Sequence, residues 1–353
     1  KILVDQAVAA GKLGQAARKA LLASMSDEVA DQVLRNTYLQ TQAITMMEAF
    51  SPARLGSMAH FINVLEDAGD LDRGLEFLPD DEELADRRDR GHGLTRPELA
   101  VLLSYSKITL YRQLLDSDVP EDDWLSAEAV NYFPTRIREQ YAAYVSSHRL
   151  KREIIATQVT NSLVNRMGAS FMLRAQEDTG TSPGEVARAY SIAREIFEAR
   201  EFWQMVEKLD NRVASELQIA AMLNMWNLLR QATRWLLNLP SRELDIGRMV
   251  KRLGPGLRAM ENTIRKNLAA EEAEALALRT AAFVDGGFNR QLAGRAAILE
   301  NLYPALDVVE SAARRRTDVD RVARISFGLG ELFDLGWLRH EVESLVVTGQ
   351  WHA

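Results

Sequence analysis

His148 to Gly180 reads HRLKREIIATQVTNSLVNRMGASFMLRAQEDTG, with no proline and a single interior glycine, Gly168. Apolar side chains recur at Ile155, Val159, Leu163 (or its neighbour Ser162) and Met167. That period predicts one long helix packed on more than one side. A second file, Thr157, Asn161 and Asn165, is spaced four apart and puts three small hydrogen-bonding side chains on one stripe. Such a stripe either forms a hydrogen-bond ladder with a neighbouring helix or lines a ligand pocket. Working outward from this stretch, the fold class is all-α, an array of helical bundles.

Upstream, Pro134 opens a helix whose file Ile137, Tyr141, Tyr144 and His148 is expected to run straight into the organising helix. Thr95 and Glu98 bracket Pro97 in capping-box spacing and start a helix with Leu99, Leu102, Leu103, Ile108 and Leu114. Residues 70–93 are a charged joint carrying one short exposed helix, between a mostly helical segment, 1–69, and a C-terminal helical domain, 94–353. Within 1–69, Ser26 and Asp27 offer a cap, and Ser51 with Pro52 starts a further helix that stops at Gly69. KILVD at the start is the one β-type run and predicts a short N-terminal strand.

Downstream, Ser182, Pro183 and Glu185 combine a cap, a first-turn proline and a capping-box acid. The helix they start sets Val186, Ala189 or Tyr190, Ala193, Ile196 or Phe197, and Phe202 or Trp203 toward a core. Leu253-Gly254-Pro255 predicts a helix stop, and Asp285-Gly286-Gly287 a turn. Helices follow around residues 291–302, 306–313 and 319–333. The final segment, WLRHEVESLVVTGQWHA, breaks off in mid-pattern.

With 47% apolar and 26% charged residues, the 353-residue chain has the composition of a globular protein. A net charge of -7 argues against a nucleic-acid partner, which needs a concentrated positive surface. Arginine outnumbers lysine 35 to 8, which suits fixed carboxylate pairing between helices and follows equally from genomic base composition. No cysteine is present, which removes disulfides and thiolate chemistry and fits the cytoplasm. The longest uncharged run, Leu217 to Leu229, is too short and too polar for a bilayer, so no membrane span is expected.

The five histidines, His60, His92, His148, His340 and His352, are scattered outside any zinc or di-iron spacing. His148, at helical spacing from two tyrosines, reads as a packed or capping residue. Asp80, Asp81, Glu82, Glu83 and Asp86 lie beside Pro79 in the most polar part of the chain and lack the rigid apolar setting of an aspartate-rich magnesium site. Gly328-Leu329-Gly330 lacks a third glycine and a preceding strand, so it fails as a dinucleotide loop, as do Gly91 and Gly93. Arg149 and Arg152 could take a carboxylate effector bidentately, or pair within the fold with acids such as Glu153. No catalytic acid, base, nucleophile or metal ligand stands out.

GLTRPELAVLLSYSKITLYRQLL (Gly93 to Leu115), YFP (Tyr132 to Pro134), HRLKREIIATQVTNSLVNRMG (His148 to Gly168) and VARAYSIAREIF (Val186 to Phe197) resemble the C-terminal region of the large-subunit bacterial NAD-specific glutamate dehydrogenases. The resemblance implies an enzyme that deaminates L-glutamate oxidatively with NAD, in the cytoplasm and as a homo-oligomer. It implies that the catalytic and cofactor residues lie upstream, so this portion alone is inactive and binds no cofactor. Its partner would be the upstream catalytic domain of the same polypeptide, with KILVD the severed edge strand of that domain's nucleotide-binding part. A regulatory module for an amino-acid or carboxylate effector is the alternative. Whether residues 36–40 reach back to the active-site cleft is left open.

Overall fold

The computed structural model describes residues 1–240, 244–268, 270–333, 337–338 and 341. Among them are seventeen α-helices, a few 3-10 turns and no strand. The chain divides into two compact units, Lys1–Ser191 with Thr233–Ile246, and Ile192–Ala232 with Gly247–Ala353. The last predicted segment, with His340, Trp351 and His352, falls almost wholly outside the described residues.

The first unit holds α1 (Ile2–Ala9), α2 (Gln15–Ala23), α3 (Ser26–Asp67), α4 (Asp81–Asp89), α5 (Arg96–Leu115), α6 (Asp123–Glu128), α7 (Thr135–Tyr141), α8 (Lys151–Met167), α9 (Phe171–Thr179) and the start of α10 (Pro183–Ile196). Helix α8 packs on α5 and α3, and Ile155, Val159, Leu163 and Met167 are all buried. The capping box of α5 forms as the spacing predicts, with Thr95 N donating to Glu98 Oε2 at 2.6 Å. That of α10 forms too, with Ser182 N donating to Glu185 Oε2 at 2.8 Å.

Three expectations are corrected here. The organising stretch is two helices, because Gly168 takes φ +85° and ends α8. That positive φ favours glycine and sets the break, and α3 packs close by, where an added Cβ would stand 3.2 Å from Phe50 Cζ and 3.3 Å from Met47 Cγ. KILVD is helical, not a strand. Leu3, Val4 and Ala7 form one face of α1, buried with Leu21, Met25, Ile137, Tyr141 and Val145. A lone strand would leave its backbone unpaired, whereas a helix satisfies its own N–H and C=O groups. The helix opened at Pro134 does not continue into α8: it ends at Tyr141 and a 3-10 turn, Ala142–Tyr144, follows.

Pro52 kinks α3 instead of opening a separate helix, with Arg54 at φ -124° and ψ 17°. Gly69, at φ +72°, ends it as predicted. The following loop is tied down by Arg73, which donates to Glu66 Oε2 at 2.8 Å, Asp81 Oδ1 at 2.8 Å and Asn63 Oδ1 at 2.5 Å.

The second unit holds α11 (Ala199–Glu207), most of α12 (Ser215–Leu237), α13 (Ile246–Asn267), α14 (Ala270–Asp285), α15 (Arg290–Ile298), α16 (Ala305–Arg315) and α17 (Val319–Leu332). Pro255 does not stop α13, which runs through it. Leu253, Leu257, Met260 and Ile264 share one buried face. Their burial, about 1.5–3 kcal/mol each, outweighs the roughly 3 kcal/mol cost of an interior proline. Gly256 permits the packing, since a Cβ there would meet Val309 Cγ1 at 2.6 Å.

Candidate functional site

Arg152, in the first turn of α8, is engaged by its own chain. Its Nη1 pairs with Glu121, and its Nη2 donates to the carbonyl oxygens of Leu115 at 2.7 Å and Ser117 at 3.2 Å. Arg149 precedes the helix and is exposed. The two arginines therefore differ in setting: one caps the end of α5, the other faces solvent.

Thr157 and Asn161 are half-buried and Asn165 is buried. Asn165 Oδ1 and the neighbouring Thr160 Oγ1 are enclosed without a hydrogen-bond partner among the described residues. The polar link from α8 to α10 runs instead through Ser162, whose carbonyl oxygen accepts from Tyr190 Oη at 2.9 Å. Ser162 read as part of the apolar file, and nothing local marks its carbonyl as an acceptor.

His148 is buried, its ring 5.6 Å from that of Phe133 and its Nδ1 accepting from Leu150 N at 3.1 Å. Burial lowers its pKa and keeps it neutral. It is a packed residue, although the helix whose spacing pointed to it ends at Tyr141. In the acidic run, Asp80 caps α4 by accepting from Glu83 N at 2.8 Å, Asp81 pairs with Arg73 and Glu83 pairs with Arg87. Among the described residues no three His, Asp or Glu side chains are grouped to hold a metal ion. Gly328 and Gly330 lie inside α17.

Sequence reasoning passed over two constellations. Lys107 lies on α5 in register with buried Leu103, Leu110 and Leu114, and desolvation pushes its pKa down to about 8. The signal was available, since a lone lysine interrupts that file. In the second unit, Glu198 adopts φ +49° between α10 and α11. Arg295 Nη2 donates to Phe197 O at 3.0 Å and Glu198 Oε2 at 3.2 Å, and Arg258 Nη1 lies 3.6 Å from Glu198 Oε1. Glu261 completes the group, 3.8 Å from Arg295 Nε. Burial raises its pKa, Arg295 lowers it and Glu198 raises it further.

The same unit has an open groove of about 540 Å³ along α14, lined by Leu268, Leu276, Val284 and Asp285 and flanked by Arg265 and Arg290. Arg265 is partly committed, donating from Nη2 to Gly294 O at 2.6 Å. Across both units the charged groups chiefly join one helix to another: α5 to α8 through Arg152, α4 to α5 through Arg87 and Glu98, and α13 to α16 through Arg252 and Glu310.

Residues 91–353 match the family described as glutamate dehydrogenase, C-terminal, and residues 1–47 match that described as bacterial NAD-glutamate dehydrogenase, catalytic domain. Over all 353 residues the chain is 39% identical to the NAD-specific glutamate dehydrogenases of Halomonas elongata and Pseudomonas aeruginosa. It is 31% identical to that of Mycobacterium tuberculosis. The chain spans 22% of the length of each of these relatives.

Proposed function

Because the chain belongs to the glutamate dehydrogenase C-terminal family, we propose that it is the helical portion of a longer NAD-dependent glutamate dehydrogenase and acts there as a structural brace. The full-length enzyme would convert L-glutamate, NAD and water to 2-oxoglutarate, ammonium, NADH and a proton. The observation that carries this reading is similarity along all 353 residues to NAD-specific glutamate dehydrogenases more than four times as long. Supporting the brace is the use of Arg152, Arg87, Arg252 and Arg295 to join elements of the chain to one another.

In this reading the Gly328 and Gly330 pair does not serve NAD. Gly328 and Gly330 are helical within α17, not gathered in a turn that turns its N–H groups on a pyrophosphate. In this reading the cofactor and the catalytic groups belong to the catalytic domain of the same polypeptide, which is the brace's partner, and the enzyme works in the cytoplasm as a homo-oligomer. No helix among the described residues is long and apolar enough to cross a membrane.

The test is NAD-dependent glutamate oxidation by the full-length polypeptide beside the same polypeptide truncated before Gly93. The expected result is an active parent and a truncated form that is inactive or dissociated. A parent without activity on glutamate ends the assignment, and a truncated form matching the parent in activity and assembly ends the bracing role.

A further inference from the structure

Between Ser26 and Gln42, helix α3 buries no side chain at all. Seventeen helical residues span about 25 Å, and most helical stability in proteins comes from tertiary packing of an apolar face. Three of its large apolar residues face solvent together: Val29 and Val33, four apart, and Leu34 beside them, at 44%, 58% and 67% exposure. This is an uncovered apolar stripe on an otherwise polar helix.

The stretch is nonetheless fixed at both ends. Near its start, Glu28 Oε1 accepts from Thr135 N and Thr135 Oγ1, both at 2.8 Å. Near its end a polar line leads out from α8. Arg166 Nη1 donates to Gln42 Oε1 at 2.6 Å, Gln42 Nε2 donates to Tyr38 Oη at 3.1 Å, and the Arg35 guanidinium lies 5.1 Å over the Tyr38 ring. A helix anchored at each end and bare between is a strut, and its apolar stripe is the part left to be covered.

The occupant follows from the family matches. Residues 1–47, which include the whole bare stretch, match a catalytic domain, and 47 residues are fewer than a domain of that kind contains. The chain also spans only 22% of its relatives. We propose that the Val29, Val33 and Leu34 stripe of α3 is the seat of the remainder of the catalytic domain of the same polypeptide. The proposal rests on the function proposed above and adds the surface through which the brace holds its load.

The test places a single cysteine at Val33→Cys in the full-length polypeptide, with a second variant, Glu82→Cys, at an exposed site on α4 as reference. Alkylation by iodoacetamide is followed by peptide mass spectrometry, folded and in urea. Val33 is half exposed in this chain, so its replacement removes no core contact. Cysteine at 33 is expected to react at least about tenfold more slowly in the folded enzyme than in urea, at every protein concentration, while cysteine at 82 is not. Slowing below tenfold overturns the proposal, and slowing that disappears on dilution overturns it in favour of a second copy. Glutamate oxidation by the parent, assayed separately, decides the underlying function, so the two fail independently.

Discussion

The Nη2 of Arg152 donates to the carbonyl oxygen of Leu115 at 2.7 Å, so the last turn of α5 is capped by a side chain from the first turn of α8. The carbonyls at a helix end have no partner within the helix, and a cation there also meets the negative end of the helix dipole.

Arg152→Ala should therefore lower the unfolding free energy by about 1–2 kcal/mol, most of it from the abandoned carbonyls of Leu115 and Ser117. The exposed pair with Glu121 adds little. The denaturation midpoint in urea measures this. An unchanged midpoint, joined to a loss of any thermal shift produced by dicarboxylates, would instead give Arg152 to a ligand.

A second prediction concerns acid. Glu98 accepts from Arg87 Nη1 at 2.7 Å and Nη2 at 2.9 Å, and from Thr95 N at 2.6 Å. Burial opposes its ionisation, but these hydrogen bonds outweigh that and hold its pKa below the ordinary glutamate value. The unfolded chain then binds more protons than the folded one in this range. The stabilisation is complete above the ordinary glutamate pKa and is lost as pH falls through the folded value. Glu98→Gln should cost roughly 1–3 kcal/mol at pH 7 and flatten the acid limb. Chemical denaturation at pH 7 and pH 3 checks this, with wild type and variant converging at the lower pH. Parallel curves would show that the pair contributes no linkage.

Gly93→Ala tests a close approach. An added Cβ would stand 2.6 Å from Ser51 Cβ and 2.8 Å from Pro52 N, at the kink of α3 where Leu94 N donates to Ser51 Oγ at 2.7 Å. Neither backbone can give way without breaking that buried bond. The substitution should cost on the order of 2–3 kcal/mol, with circular dichroism melting as readout. A melting point within a degree or so of wild type would mean the approach is looser than drawn.

Features governed by a few neighbouring residues were legible in the amino-acid sequence. The capping boxes at Thr95 and Ser182 and the buried file Ile155, Val159, Leu163 and Met167 depend only on local spacing. Features governed by an approach from far along the chain were not. Met47 and Phe50 of α3 lie against Gly168 where α8 ends, and α13 passes through Pro255 on the strength of a buried face, with Gly256 set against Val309. The candidate site divides in the same way. Arg152 stood out as a cation, but its acceptors are carbonyls 35 and 37 residues earlier, and carbonyls carry no sequence signal. For the N-terminal run the β-branched residues of KILVD weighed too heavily against the helical spacing of Leu3 and Ala7.

The last prediction concerns a buried hydroxyl of α8 that lies outside its polar stripe. Thr160 is 3% exposed, and its Oγ1 has no partner among the described residues. A buried hydroxyl without a hydrogen bond costs roughly 1–3 kcal/mol of desolvation. Valine has nearly the same shape and no such group. If the hydroxyl serves nothing, Thr160→Val should stabilise the chain by about 1 kcal/mol, and the neighbouring Asn165 Oδ1, orphaned in the same way, should respond independently. If the hydroxyl holds a bound water or the polar end of a ligand, the same substitution destabilises, because it strands the group that Thr160 was satisfying. Urea denaturation of wild type, Thr160→Val and Thr160→Ser separates the cases. Stabilisation by valine marks Thr160 as a packing compromise between helices, and destabilisation by valine with recovery in serine marks it as part of an occupied polar site.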